Sequence, residues 1–155
     1  MATWEAIASW GKVTRRDALD LFVGKKIGHG CAREVYECTL DETLVVKIET
    51  GAASFQNVAE WQIWNALSAT KAAQWLAPCV HISATGAVML MKRTEPLQIK
   101  QLPKLMPTWL TDFHCANYGM LNGRVVCHDY GIADSVIIGL GASKRMRKPD
   151  WVELR

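Results

Sequence analysis

The sequence predicts an α+β fold, and three observations carry the prediction. Residues 26–38 alternate around a glycine turn and, after Leu40-Asp41-Glu42, residues 43–49 are rich in β-branched side chains, which together read as three consecutive strands. Residues 57–67 follow a helical period, and residues 80–91 return to a strand, a turn at Ala84-Thr85-Gly86 and a second strand. Asn122-Gly123, between Met120-Leu121 and Val125-Val126, suits a two-residue type I′ turn because both positions accept positive φ.

Composition bounds the function classes. The chain of 155 residues is half hydrophobic and 21% charged, the profile of one globular domain able to bury a core. No apolar run reaches the ~20 residues that cross a bilayer, and the first residues lack a basic and then apolar leader pattern, so a cytoplasmic protein without membrane contact is expected. The five cysteines, Cys31, Cys38, Cys79, Cys115 and Cys127, are odd in number with no Cys-x-x-Cys pair, which points to reduced thiols. Net charge is only +3, but five of the last twelve residues are basic: Lys144, Arg145, Arg147, Lys148 and Arg155. That cluster reads as a solvated tail, with nucleic acid or an acidic protein patch as the alternative.

Thr3 and Thr14 each stand where an N-cap would open a short helix, giving a helical extension over 1–22 with no chemistry of its own. The strands then begin, around Gly28-His29-Gly30. A lone Gly-x-Gly is an ordinary turn in most proteins. Lys47, flanked by Val46 and Ile48, points to the opposite face from them, and in isolation is a solubility lysine. Asn57 is placed to cap the helix, with Trp61, Trp64, Ala66 and Leu67 as its apolar cover and Glu60 at the border of that face. Taken alone, Glu60 is a first-turn glutamate favoured by the helix dipole, and Met89 and Met91 are core filling. Leu97 to Leu102 allows about two helical turns before Pro103.

The chemistry concentrates between Trp109 and Gly131. Folding the Asn122-Gly123 hairpin brings Asn117 and Asp129 together at its open end, with Asp112 five positions before Asn117. Oxygen ligands converging in this way suit a hard cation held together with phosphate oxygens. Each residue alone has a plainer reading, Asp112 as a cap or turn aspartate and Asn117 as a turn residue.

Asp112-Phe113-His114-Cys115-Ala116-Asn117, followed by Asp129-Tyr130-Gly131, resembles the catalytic loop and metal-binding triplet of the protein kinase-like superfamily. Thr111 stands where protein kinases carry arginine, and Tyr130 where they carry phenylalanine. His114, two after the aspartate, is closer to the aminoglycoside and sugar kinase branch. The resemblance covers about residues 23 to 135. It implies an N-terminal lobe over 23–92, with a five-stranded antiparallel sheet and one helix. Residues 93–155 would then be a strongly reduced C-terminal lobe carrying the catalytic loop and basic tail. So small a version implies a phage or mobile-element gene.

The resemblance also implies roles. Gly28 and Gly30 would cover ATP phosphates, with Arg33 in place of the third glycine, either stiffening the loop or adding charge. Lys47 would neutralise phosphate charge and Glu60 would orient it. Val35 and Met91 would wall the adenine, and Met89 to Lys92 would offer it backbone groups. Asn117 and Asp129 would hold Mg²⁺, Asp112 would take the acceptor's proton, and His114 would support the loop.

Two functions follow as expectations. The first is an ATP-dependent kinase acting on a protein or small-molecule hydroxyl, favoured by the set Lys47, Glu60, Asp112, Asn117 and Asp129. The second is a kinase-fold binding module that holds nucleotide or grips another protein, favoured by the missing peptide-docking region. Nucleic-acid binding ranks third, because no basic-aromatic motif supports it beyond the tail. Dimerisation is a reasonable way to cover apolar surface that the absent helices would otherwise bury.

Overall fold

Alternation along the strands decides which side chains meet. Val45 and Lys47 face one side of the central strand and Leu44, Val46 and Ile48 the other, because successive residues of a strand point to opposite faces. In the computed structural model, which describes residues 19–51, 54–131 and 145–152, the sheet is antiparallel and five-stranded. Its strands are β1 (Val23–His29), β2 (Arg33–Cys38), β3 (Leu44–Glu49), β4 (Cys79–Ile82) and β5 (Val88–Lys92), in the order β1-β2-β3-β5-β4. The helices expected from Thr3 and Thr14 lie outside the described residues, except that 19–22 are helical.

One helix, α1 (Gln56–Leu67), crosses from β3 to β4 and covers the Val45 and Lys47 face. Its buried side is Asn57, Glu60, Ile63 and Leu67. This corrects the expected apolar face: Trp61 and Trp64 are half-buried flanks and Ala66 is exposed. A hydrophobic count misplaced the face because two of the inward positions are polar and find buried partners. Asn57 is not the cap either. Phe55 occupies that place at φ 49, and Glu49 from β3 accepts the Asn57 backbone N–H at 2.6 Å. The fully buried Asn57 amide instead donates to the carbonyls of Lys47 at 3.2 Å and Gly86 at 3.1 Å, pinning the helix to the sheet.

The second half of the chain is short pieces packed on that helix and sheet. Residues 99–101 make a single 3₁₀ turn, shorter than the two turns expected. β6 (Met106–Pro107) pairs with β9 (Met146–Arg147), and β7 (Tyr118–Leu121) pairs with β8 (Arg124–Cys127) across Asn122 at φ 50 and Gly123 at φ 75. One hydrophobic core runs through both halves, from Met89 and Met91 through Ile63 and Leu76 to Trp109, Phe113, Val126 and Tyr130.

The described part of the basic tail is not simply solvated. Arg147 donates to the Leu110 carbonyl at 3.0 Å and sits over the Phe113 ring, and Trp151 packs edge-on against both Phe113 and Tyr118. Lys144 and Arg155 lie outside the described residues. All five cysteines are free thiols. Among the described residues, no helix is long and apolar enough to cross a membrane.

Candidate functional site

Register lines up several of the expected residues. Gly28, Val35, Lys47 and Met89 occupy one row across β1, β2, β3 and β5, so their side-chain positions share a face. Lys47 is 3% exposed and its Nζ meets Glu60 Oε2 at 2.8 Å, while also donating to the His128 carbonyl. Glu60 itself has no exposure. Its Oε1 accepts the Tyr130 backbone N–H at 3.0 Å, which ties the helix to the Asp129-Tyr130-Gly131 segment. That approach needs Gly131, where an added Cβ would lie 2.9 Å from the Gln56 carbonyl.

Arg33 completes the cluster, a role that sequence reasoning left open between two alternatives. It is 5% exposed, with Nη1 at 2.8 Å from Glu60 Oε2 and Nη2 at 3.0 Å from Glu60 Oε1. The same Nη2 forms an ion pair with Asp129 Oδ1, and Nη1 donates to Asn57 Oδ1 at 3.4 Å. Two buried cations therefore face two carboxylates. Burial works against the charge on Glu60, but the charges of Lys47 and Arg33 overcome it and hold its pKa down at about 2. Asp129 is shifted up, with burial the largest cause and Arg33 opposing it.

Asp129 keeps 40% of its side-chain surface and lines a small cleft with Asp112, Tyr118 and Cys127. The cleft volume is about 10 Å³, the scale of one water. Asp112 is exposed; its Oδ1 accepts the His114 backbone N–H at 3.1 Å, and its carbonyl accepts the Tyr118 hydroxyl at 2.8 Å. Asn117 lies at the hairpin mouth, where its carbonyl accepts the His128 backbone N–H at 2.8 Å. His114 takes part through its backbone, its carbonyl accepting the Asn117 N–H at 2.9 Å.

His128 and Tyr130 were not singled out for chemistry from the sequence. His128 sits between Ala116 and Thr94, each at 2.8 Å. A carbonyl only accepts, so Nε2 carries the proton toward Ala116 and Nδ1 accepts from the Thr94 hydroxyl. Burial pushes the His128 pKa down to about 4. Tyr130 anchors its hydroxyl in the core, donating to the Ala77 carbonyl at 2.8 Å beside Cys79 Sγ at 3.1 Å. That polar anchor accounts for tyrosine where the resemblance expected phenylalanine. Thr111 is exposed, and nothing in the structure explains it.

Two expectations need correction. The Gly30 backbone N–H donates to the Arg33 carbonyl at 2.8 Å, which closes the turn on itself and does not leave that donor turned toward a phosphate. Met89 and Met91 have no exposure and belong to the core, and the Met89 to Lys92 backbone runs between β3 and β4 as an inner strand. Beyond it, Glu95 and Met120 exchange N–H to carbonyl bonds in both directions at 2.9 Å, which joins the chain after β5 to β7. At the expected Mg²⁺ site, one oxygen of the Asp129 carboxylate is paired with the Arg33 guanidinium. Among the described residues, no three His, Cys, Asp or Glu side chains converge as metal ligands. No family model matches the chain, and no curated protein matches it.

Proposed function

We propose that this chain is a small phosphotransferase of the protein kinase-like type, moving the γ-phosphoryl group of ATP to a hydroxyl on a protein or a small molecule. The observation that supports it best is the assembly around Glu60. The Lys47 ion pair at 2.8 Å and the Tyr130 N–H bond at 3.0 Å hold Asp129 at the same cleft as the exposed Asp112. Lys47 has three N–H donors and two of them are engaged, leaving one for a phosphate oxygen. Asp112, the accessible carboxylate, accepts the proton as the acceptor oxygen bonds to phosphorus and the bond to the ADP oxygen breaks. A divalent cation is given no step, because Arg33 is paired with the carboxylate that would hold it.

The test is incubation of the protein with γ-labelled ATP, alone and with a cell lysate, beside Asp112→Ala. Label transferred by the natural chain and lost in the variant is the expected result; equal labelling removes Asp112 from the mechanism. A second reading, a kinase-fold module that binds nucleotide or a protein without turnover, is favoured by the Arg33 to Asp129 pair. It predicts a thermal shift with ATP and no label in either protein.

A further inference from the structure

Asp129 combines two properties that rarely coexist: its carboxylate reaches solvent in the cleft, yet one oxygen is bonded to a guanidinium that is itself almost fully buried. Arg33 is not a surface cation that happens to lie nearby. It opens β2 directly after the glycine turn, and Glu60 and Asn57, neither of them exposed, accept from it on the far side. Planar fork geometry suits this: Nη1 and Nη2 grip the two Glu60 oxygens, and Nη2 also reaches Asp129. Leaving would strand a buried glutamate with Lys47 alone, and would break the contact between Arg33 and Asn57, the residue that pins α1 to the sheet.

We propose that Arg33 is the resident cation of this site, occupying Asp129 in place of a divalent metal, so that phosphate binding here does not depend on one. The charges already balance, with Arg33 and Lys47 against Glu60 and Asp129. A metal ion at Asp129 would add two positive charges beside two cations that are themselves buried. A phosphate, in contrast, carries the charge that Lys47 and Arg33 attract. The placement of Arg33 stands on geometry alone, whereas its consequence for nucleotide rests on the phosphotransferase reading.

Separate measurements keep the two apart. Tb³⁺ is a hard oxygen-seeking probe whose emission an aromatic neighbour such as Tyr130 sensitises, and it needs no nucleotide. The natural protein should show no Tb³⁺ site beyond that of Asp129→Asn. Arg33→Met should gain at least about tenfold in Tb³⁺ affinity as the carboxylate is released, and Arg33→Met with Asp129→Asn should lose that gain. Natural protein that binds Tb³⁺ through Asp129, or a folded Arg33→Met without the gain, overturns the assignment. Should Arg33→Met fail to fold, ¹⁵N spectra of the guanidinium decide: Arg33 signals slowed in rotation and altered by Asp129→Asn support it, and identical spectra sink it. For the consequence, ATP binding measured by calorimetry in EDTA and in Mg²⁺ should agree within about twofold. A strict Mg²⁺ requirement overturns the metal-free claim. No ATP binding in either buffer overturns that claim together with the phosphotransferase reading, while the Tb³⁺ result still decides the place of Arg33.

Discussion

A carboxylate without contact with water has to be matched by charge from inside the protein, and Glu60 has Arg33 and Lys47 for that purpose. Glu60→Gln keeps the size but leaves both cations facing only the half-exposed Asp129. Removing one partner of a buried ion pair costs about 3–5 kcal/mol, so urea midpoints should fall by that equivalent with an unchanged m-value. Lys47→Met should cost less, since Arg33 still neutralises Glu60; equal losses in the two variants would show that Arg33 does not share the load. At this scale the sequence was legible where spacing was the signal. The Asp112, Asn117 and Asp129 interval and the Asn-Gly turn located the hairpin mouth, and the pleat placed Lys47 on the face opposite Val46 and Ile48. It was not legible where a partner lies far along the chain. Arg33 and Asp129 are separated by 96 positions, and no local pattern says that an arginine just after a glycine turn points inward.

Elements in the second half are too short to hold their shape alone and depend on close approach between backbones. Gly119 in β7 allows it, because an added Cβ would fall 2.5 Å from Thr94 Cβ and 2.9 Å from the Glu95 carbonyl. Gly119→Ala should therefore force residues 94–95 off β7 at a cost of about 1–3 kcal/mol, with faster amide exchange at Glu95 and Met120 as the specific sign. Ordinary exchange at both amides would refute that packing. The tail works in the same way. Trp151 makes edge-on contacts with Phe113 and Tyr118, with centroids at 5.3 and 5.0 Å, and Cys115 donates to the Val152 carbonyl at 2.9 Å, so the tail braces the Asp112 to Asn117 loop. Two such aromatic pairs at roughly 0.5–1.5 kcal/mol each make Trp151→Ala about 1–3 kcal/mol less stable, with protection lost first at 113–117. The strands of the first half could be read from β-branched runs and turn residues. This brace could not, since basic residues near a chain's end look like a solvated tail until their aromatic partners are known.

Across the whole molecule, the ionic cluster and the core join the same two halves, and acid should loosen them in stages that titration separates. His128 is held neutral between Thr94 and Ala116, with its pKa pushed down to about 4. In an unfolded chain a histidine takes a proton near 6.5. Between those values the unfolded state binds more protons than the folded one, so stability rises with pH, and acidification from about 6.5 toward 4 weakens the fold. Glu60 acts lower. With its folded pKa at about 2, its contribution is complete above the ordinary carboxylate range and is lost only as the pH falls through about 2. Asp129 is shifted up, and so has the opposite sign: its effect is full below the unfolded value and fades as the pH rises through the folded one. The upper part of the window is therefore where His128 should dominate. His128→Gln retains a donor and an acceptor for Ala116 and Thr94 but cannot titrate. Urea midpoints followed from pH 7 downward should fall for the natural protein through that upper part and stay flatter for His128→Gln, with the two curves converging in steepness only where the carboxylates protonate. Parallel curves throughout would mean that His128 titrates alike in the folded and unfolded chains, and that the seal between β7, β8 and residue 94 is open to water.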